Sequence, residues 1–163
     1  RMVTQLSQLN LATPAHDNSL RPFVYHEGPT WRRYMATSCF SLSPRGYGRT
    51  SYHLMETLQM GLIPIHVYSD IAWMPYADFL EREQLVLSVP FHDVRKLVAE
   101  ELLPQNTSWS FDRIRDTERR IRTYRDSHFS FAGAMHHIAA FMLNPSKSDL
   151  QCQALPQSIR NAK

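Results

Sequence analysis

The chain has 163 residues, 43% of them hydrophobic, and a net charge of +3 at pH 7. That length fits one ordinary domain, and that hydrophobic share supports a globular core and excludes a wholly disordered chain. So mild a positive balance suits an anionic ligand but not the concentrated basic face of a nucleic-acid binder.

The chain opens on Arg1 with no signal-peptide pattern, and we read it as a processed or excerpted piece. No apolar run approaches the length of a membrane span. Residues Arg1–Leu11 read as a short helix with Met2, Leu6 and Leu9 on one face. Ala12–Pro22 is turn-rich, and Phe23–His26 is a short strand candidate closed by Glu27-Gly28-Pro29. Thr30 is placed to cap a short helix through Met35. Ser38–Ser43 is an apolar strand ending at Pro44, followed by the loop Arg45-Gly46-Tyr47-Gly48-Arg49. Thr50 or Ser51 caps a helix through Met60, and Gly61 stands where a helix stops in the left-handed conformation. Leu62–Tyr68 is a second strand, β-branched at Ile63, Ile65 and Val67. Strand, helix and strand in about thirty residues make a βαβ crossover and imply parallel strands.

The alternation continues. Leu85–Val89 is a third strand, and Asp93 is expected to cap a helix striped by Val94, Leu97, Val98 and Leu102 and ended by Pro104. Ser110 caps a charged helix through about Tyr124, with Ile114, Ile121 and Tyr124 on its buried stripe. A last helix, about Ser130–Leu143, lines up Phe131, Met135, Ile138 and Met142. The expected architecture is α/β: a Rossmann-like parallel sheet flanked by helices in a domain over residues 1–143, with a polar, disordered tail over residues 144–163. Cys39 and Cys152 form no disulfide framework or metal spacing, and Cys39, in an apolar run, is expected to be a buried thiol.

Ligands of open parallel sheets bind beyond the carboxyl ends of the strands, and Pro44–Ser51 is such an end. Gly46 and Gly48 let backbone approach a bulky anion. The helix that follows offers free N–H groups and a positive dipole end, and Arg45 and Arg49 offer planar donor forks. Two readings are open: an anion site, or a βα loop with surface arginines. The loop is neither a Walker loop, lacking Gly-Lys-Ser/Thr, nor a Gly-x-Gly-x-x-Gly turn. Glu56 lies a turn and a half into the helix, past the capping-box positions His53 and Leu54. It is either a ribose-diol acceptor or a surface acid.

These residues resemble the exostosin signature. Ser38-Cys39-Phe40-Ser41-Leu42-Ser43-Pro44-Arg45-Gly46, then Ser51, then Glu56-Thr57-Leu58-Gln59, then Gly61-Leu62-Ile63-Pro64-Ile65, match in order S-x-F-C-L-x-P-x-G, S-x-R-x-x-E-A and G-C-I-P-V. Asp70 and Pro75-Tyr76 resemble the D and P-F that follow, and the likeness runs in register from about Tyr34 to Glu100. His53 stands where the pattern has arginine.

The resemblance implies one half of a GT-B fold: the C-terminal, donor-binding half of an inverting glycosyltransferase. Its substrates would be a nucleotide-diphosphate sugar, usually a uridine nucleotide, and a glycan acceptor. It implies no metal cofactor, and a type II Golgi membrane protein with its active half in the lumen; the mild charge already argues against a nucleic-acid partner. By the same carry-over Arg45 and the Ser51 helix end hold the diphosphate, with Gly46, Gly48, Arg49 and His53 beside it, and Glu56 holds the ribose. On this resemblance the N-terminal GT-B half, and the first strand of this half, are expected to lie before Arg1. The general base usually comes from that other half, so the chain alone is expected to be inactive. The alternative is an exostosin-like half without activity that supports a partner transferase.

Other candidates stay open. His66 and Asp70 are expected at the same rim, contacting sugar or acceptor or making only local hydrogen bonds. Tyr25 and His26 end an earlier strand and are candidates for a base contact. His136-His137 does not read as a metal site, because adjacent helical residues point about 100° apart. Asp116 to Arg120 and Glu118 to Arg122 are i,i+4 pairs, which makes the charged helix a solvated face.

Overall fold

A computed structural model describes residues 28–49, 51–102 and 108–145. The expected helix Arg1–Leu11, the strand Phe23–His26 with Tyr25 and His26, Thr50, Cys152 and nearly all of the polar tail lie outside the described residues.

Helix α1 (Trp31–Ala36) leads into strand β1 (Phe40–Pro44), helix α2 (Tyr52–Gln59) and strand β2 (Ile63–Tyr68). Helix α3 (Ala77–Arg82) and strand β3 (Leu87–Pro90) follow. The three strands form one sheet in the order β1-β2-β3, and both pairings are parallel. The crossover read from the sequence is therefore present, with α2 joining β1 to β2.

The register aligns Ser43, His66 and Ser88 across all three strands. Side chains alternate along a strand, so these three share one face with Ser41. Leu42, Ile65 and Val89 point to the other. There Ile65, Val67 and Val89 pack with Val94 and Val98 from the segment after β3. A second cluster gathers Leu54 and Leu58 of α2 with Ile63, Leu80, Leu85 and Phe129. Ile63 to Val67 are all buried, as expected of a central parallel strand covered on both faces.

Helix α2 is bounded as its sequence demands. Ser51 is extended, and its hydroxyl accepts from the His53 N–H. At the other end Leu62 N–H donates to Thr57 O at 3.1 Å and Gly61 N–H to Leu58 O at 3.0 Å, the paired bonds of a Schellman stop. Gly61 is left-handed at φ 77°, and a Cβ there would come within 2.7 Å of Arg122 Cγ. The left-handed conformation requires glycine at that position, and a Cβ there would also oblige the Arg122 side chain to move.

Several expectations are corrected. Helix α3 was not foreseen: it starts at Tyr76 in the left-handed region (φ 56°), without a side-chain cap. The third strand begins at Leu87, because Gln84 is left-handed and the Leu85 N–H donates to Leu80 O, closing the end of α3. Asp93 closes a 3-10 turn (Phe91–Asp93) instead of capping by its carboxylate. The helix beyond it, α4 (Val94–Leu97), widens into a π turn over Val98–Leu102. Thr30 precedes α1, but its hydroxyl does not accept the capping bond. Cys39 is exposed, just outside the strand that was expected to bury it.

Helix α5 (Phe111–Tyr124) is capped by Ser110 and buries Thr117 and Ile121. A π turn (Arg125–Phe129) leads to helix α6 (Phe131–Leu143), capped by Ser130. Gly133 seats α6 on that turn: an added Cβ would lie 2.6 Å from the Ser127 carbonyl. The apolar row of α6 does not enter the core. Phe131 is 81% exposed and Met142 74%, with Met135 and Ile138 about half exposed. Periodicity says which residues share a face, not whether a neighbour covers it. No helix among the described residues is long and apolar enough to cross a membrane.

Candidate functional site

Arg45 leaves β1 at its carboxyl end, and its backbone N–H donates to Val67 O at 3.0 Å, which ties the loop to β2. The guanidinium then reaches the turn after β2. Its Nη1 donates to Ser69 Oγ and to Asp70 Oδ1, each at 2.9 Å. Arg49 Nε lies 3.5 Å from Asp70 Oδ2. One carboxylate thus gathers both loop arginines, and two guanidiniums against one carboxylate leave the cluster with a surplus positive charge. The Asp70 carboxyl is held below the ordinary range, first by a backbone hydrogen bond from Ile71 and then by Arg45 and Arg49, against an opposing effect of burial. The loop between the arginines is open: Gly46, Tyr47 and Gly48 are exposed, and a Cβ at Gly48 would meet nothing within 4 Å.

The start of α2 stands beside this loop. His53 Nε2 is 2.9 Å from Ser41 Oγ on β1, and its Nδ1 is 3.4 Å from Glu56 Oε2. The Trp31 ring stands edge-on to His53 at 6.2 Å. Both ring nitrogens of His53 are therefore engaged within the protein. Glu56 remains about half exposed, with one carboxylate edge turned to His53.

His66 is not at the rim where the sequence suggested. Strand β2 runs on to Tyr68, so His66 lies inside the sheet with no exposed surface. Its Nδ1 is 3.1 Å from Ser88 Oγ. Its Nε2 and the Ser43 hydroxyl beside it are buried without a hydrogen-bond partner among the described residues. Burial holds the His66 pKa below the ordinary histidine value. Asp70 is at the rim as expected.

Of the residues singled out in the sequence, Arg45, Arg49 and Asp70 meet at the carboxyl ends of β1 and β2, with Ser51 capping α2 after the same loop. His53 and Glu56 lie farther along α2, where His53 reaches Ser41 near the start of β1. Two serines were missed. Ser69 shares the Arg45 guanidinium with its neighbour Asp70. Ser41 was legible through the two-residue period of β1, which sets it on the Ser43 face. His136 and His137 lie on α6, away from this loop, and His137 instead meets Tyr76 and His128. Among the described residues no group of three or more histidines, cysteines and acids could hold a metal ion. The charges of α5 pair along the helix, Arg120 Nε with Asp116 Oδ2 and Arg122 Nη2 with Glu118 Oε2, each at 3.2 Å.

No protein-family model matches the chain, and searches of curated proteins and of solved structures return no match.

Proposed function

We propose that this chain is the donor-binding half of an inverting glycosyltransferase of the exostosin type, binding a nucleotide-diphosphate sugar, in first place a uridine diphosphate sugar. The observation that carries the reading is the pairing of Arg45 and Arg49 on Asp70 at the carboxyl ends of two parallel strands, beside a serine-capped helix start. Parallel sheets bind their ligands at that end, and a helix start favours anions.

In this reading Arg45 and Arg49 grip the diphosphate, and Asp70 keeps both guanidiniums in place before the ligand arrives. Glu56 accepts from the ribose hydroxyls one turn farther along α2. The glycan acceptor, the general base and the N-terminal half of a GT-B fold come from outside this chain, and the site needs no metal. The lumen of the Golgi, with a type II anchor outside this chain, is the corresponding location.

Removing the guanidinium tests the reading. A charge-assisted hydrogen bond contributes roughly 1.5–3 kcal/mol, so Arg45→Ala should weaken uridine diphosphate binding by roughly ten- to a hundredfold in calorimetry. Unchanged affinity removes Arg45 from the site.

One observation favours a second reading, an inactive half that supports a partner transferase. His53 replaces the arginine of the exostosin pattern, and both its nitrogens are occupied by Ser41 and Glu56. It therefore presents no free donor to a phosphate. Transfer activity of the full-length protein separates the two readings.

A further inference from the structure

Glu56, His53 and Ser41 form a row that joins α2 to β1, with 3.4 Å from the acid to Nδ1 and 2.9 Å from Nε2 to the hydroxyl. Chemistry fixes the directions along that row. An ionised carboxylate only accepts, so the nitrogen facing Glu56 carries a hydrogen. In the neutral ring the other nitrogen is then an acceptor, and the Ser41 hydroxyl donates to it. A hydroxyl donates or accepts, and Ser41 is well placed to donate here and so to support that tautomer. It lies within β1, paired with Pro64 of β2, so its hydroxyl is carried by the sheet and not by a loop. The edge-on Trp31 ring limits the space into which His53 turns.

Among the described residues the Glu56 side chain has no other ion pair or side-chain hydrogen bond, and a carboxylate offers about four lone-pair sites, only one side of which faces His53. We infer that Ser41 is a positioning residue: through His53 it holds the Glu56 carboxylate in the attitude that accepts from a ribose diol. The inference rests on the donor-site reading above and adds a residue to it that never touches the ligand. A histidine holds a carboxylate in a fixed attitude only when its proton is on the correct nitrogen, and the hydrogen bond at the far nitrogen decides that. An arginine in the same place would need no such help, because its fork is always protonated.

Two readouts on the intact chain test this. Nitrogen NMR of the His53 ring without ligand reports the tautomer, expected as Nδ1–H in the unmodified protein and displaced toward Nε2–H in Ser41→Ala. Calorimetry with uridine diphosphate and with its 2′,3′-dideoxy analogue reports the preference for the ribose hydroxyls. Ser41→Ala should lower that preference about fivefold, the equivalent of one neutral hydrogen bond of about 1 kcal/mol. Ser41→Thr keeps the hydroxyl and should keep the preference. Ser41→Ala combined with His53→Arg should restore it. A preference that Ser41→Ala leaves unchanged overturns the inference, as does an Nε2–H tautomer in the unmodified protein. Equal affinity of the unmodified chain for the two nucleotides overturns the donor-site reading and this inference with it. That failure is recognised before any variant is made.

Discussion

Buried histidine sets a testable pH response. His66 has no exposed surface, and burial lowers its pKa below the ordinary value. A folded chain that resists protonation at His66 binds fewer protons than the unfolded chain below about pH 6.5. Stability is then fully present above the ordinary histidine pKa and is lost as pH falls below it. His128 acts in the same direction, through burial and the nearby His137. Denaturant midpoints measured from pH 7.5 down to pH 5 should fall, and His66→Gln should flatten part of that fall. A midpoint that rises on acidification contradicts the assignment. His66 also shows how a small error misplaces a residue. The strand was recognised through Tyr68, but His66, two residues before its end, was taken to reach the rim, and only the register sets it between Ser43 and Ser88 inside the sheet. Arg45 and Asp70 were legible because each directly follows or nearly follows a strand. Their mutual grip was not, because it joins residues 25 positions apart.

Among the elements, α2 was the most legible, since both its stops are local chemistry. Ser51 caps one end and Gly61 takes the left-handed position at the other. Gly61→Ala should therefore cost roughly 1–2 kcal/mol for the backbone conformation alone. The approach to Arg122 adds to this unless that long side chain moves aside. Thermal or denaturant unfolding measures the loss, and a variant as stable as the parent would contradict both the stop and the contact. Helix α3 was not legible, because it spans six residues and enters through a left-handed tyrosine with no capping side chain. The segment after β3 misled in another way. Its stripe of Val94, Leu97 and Val98 was correct, but the turn changes from 3-10 to α to π along it, which a single helical period does not encode.

For the molecule as a whole, the sheet and its parallel order followed from the spacing of strands and helices, and the Ser43–His66–Ser88 row emerged only with the register. The outward face of α6 was illegible for a physical reason: a helix that is apolar nearly all round reads the same whether or not something covers it. The central claim concerns the rim, where Arg45, Arg49 and Asp70 meet beside α2. Backbone NMR of the chain titrated with uridine diphosphate tests it most directly. Amide shifts are predicted to concentrate at Arg45–Arg49, Ser51–Glu56 and Ser69–Asp70, and Arg45→Ala to move their titration midpoint roughly ten- to a hundredfold higher in nucleotide. Shifts centred instead on the apolar groove of Met55, Tyr76 and Ile138, or no shifts at millimolar nucleotide, would contradict it.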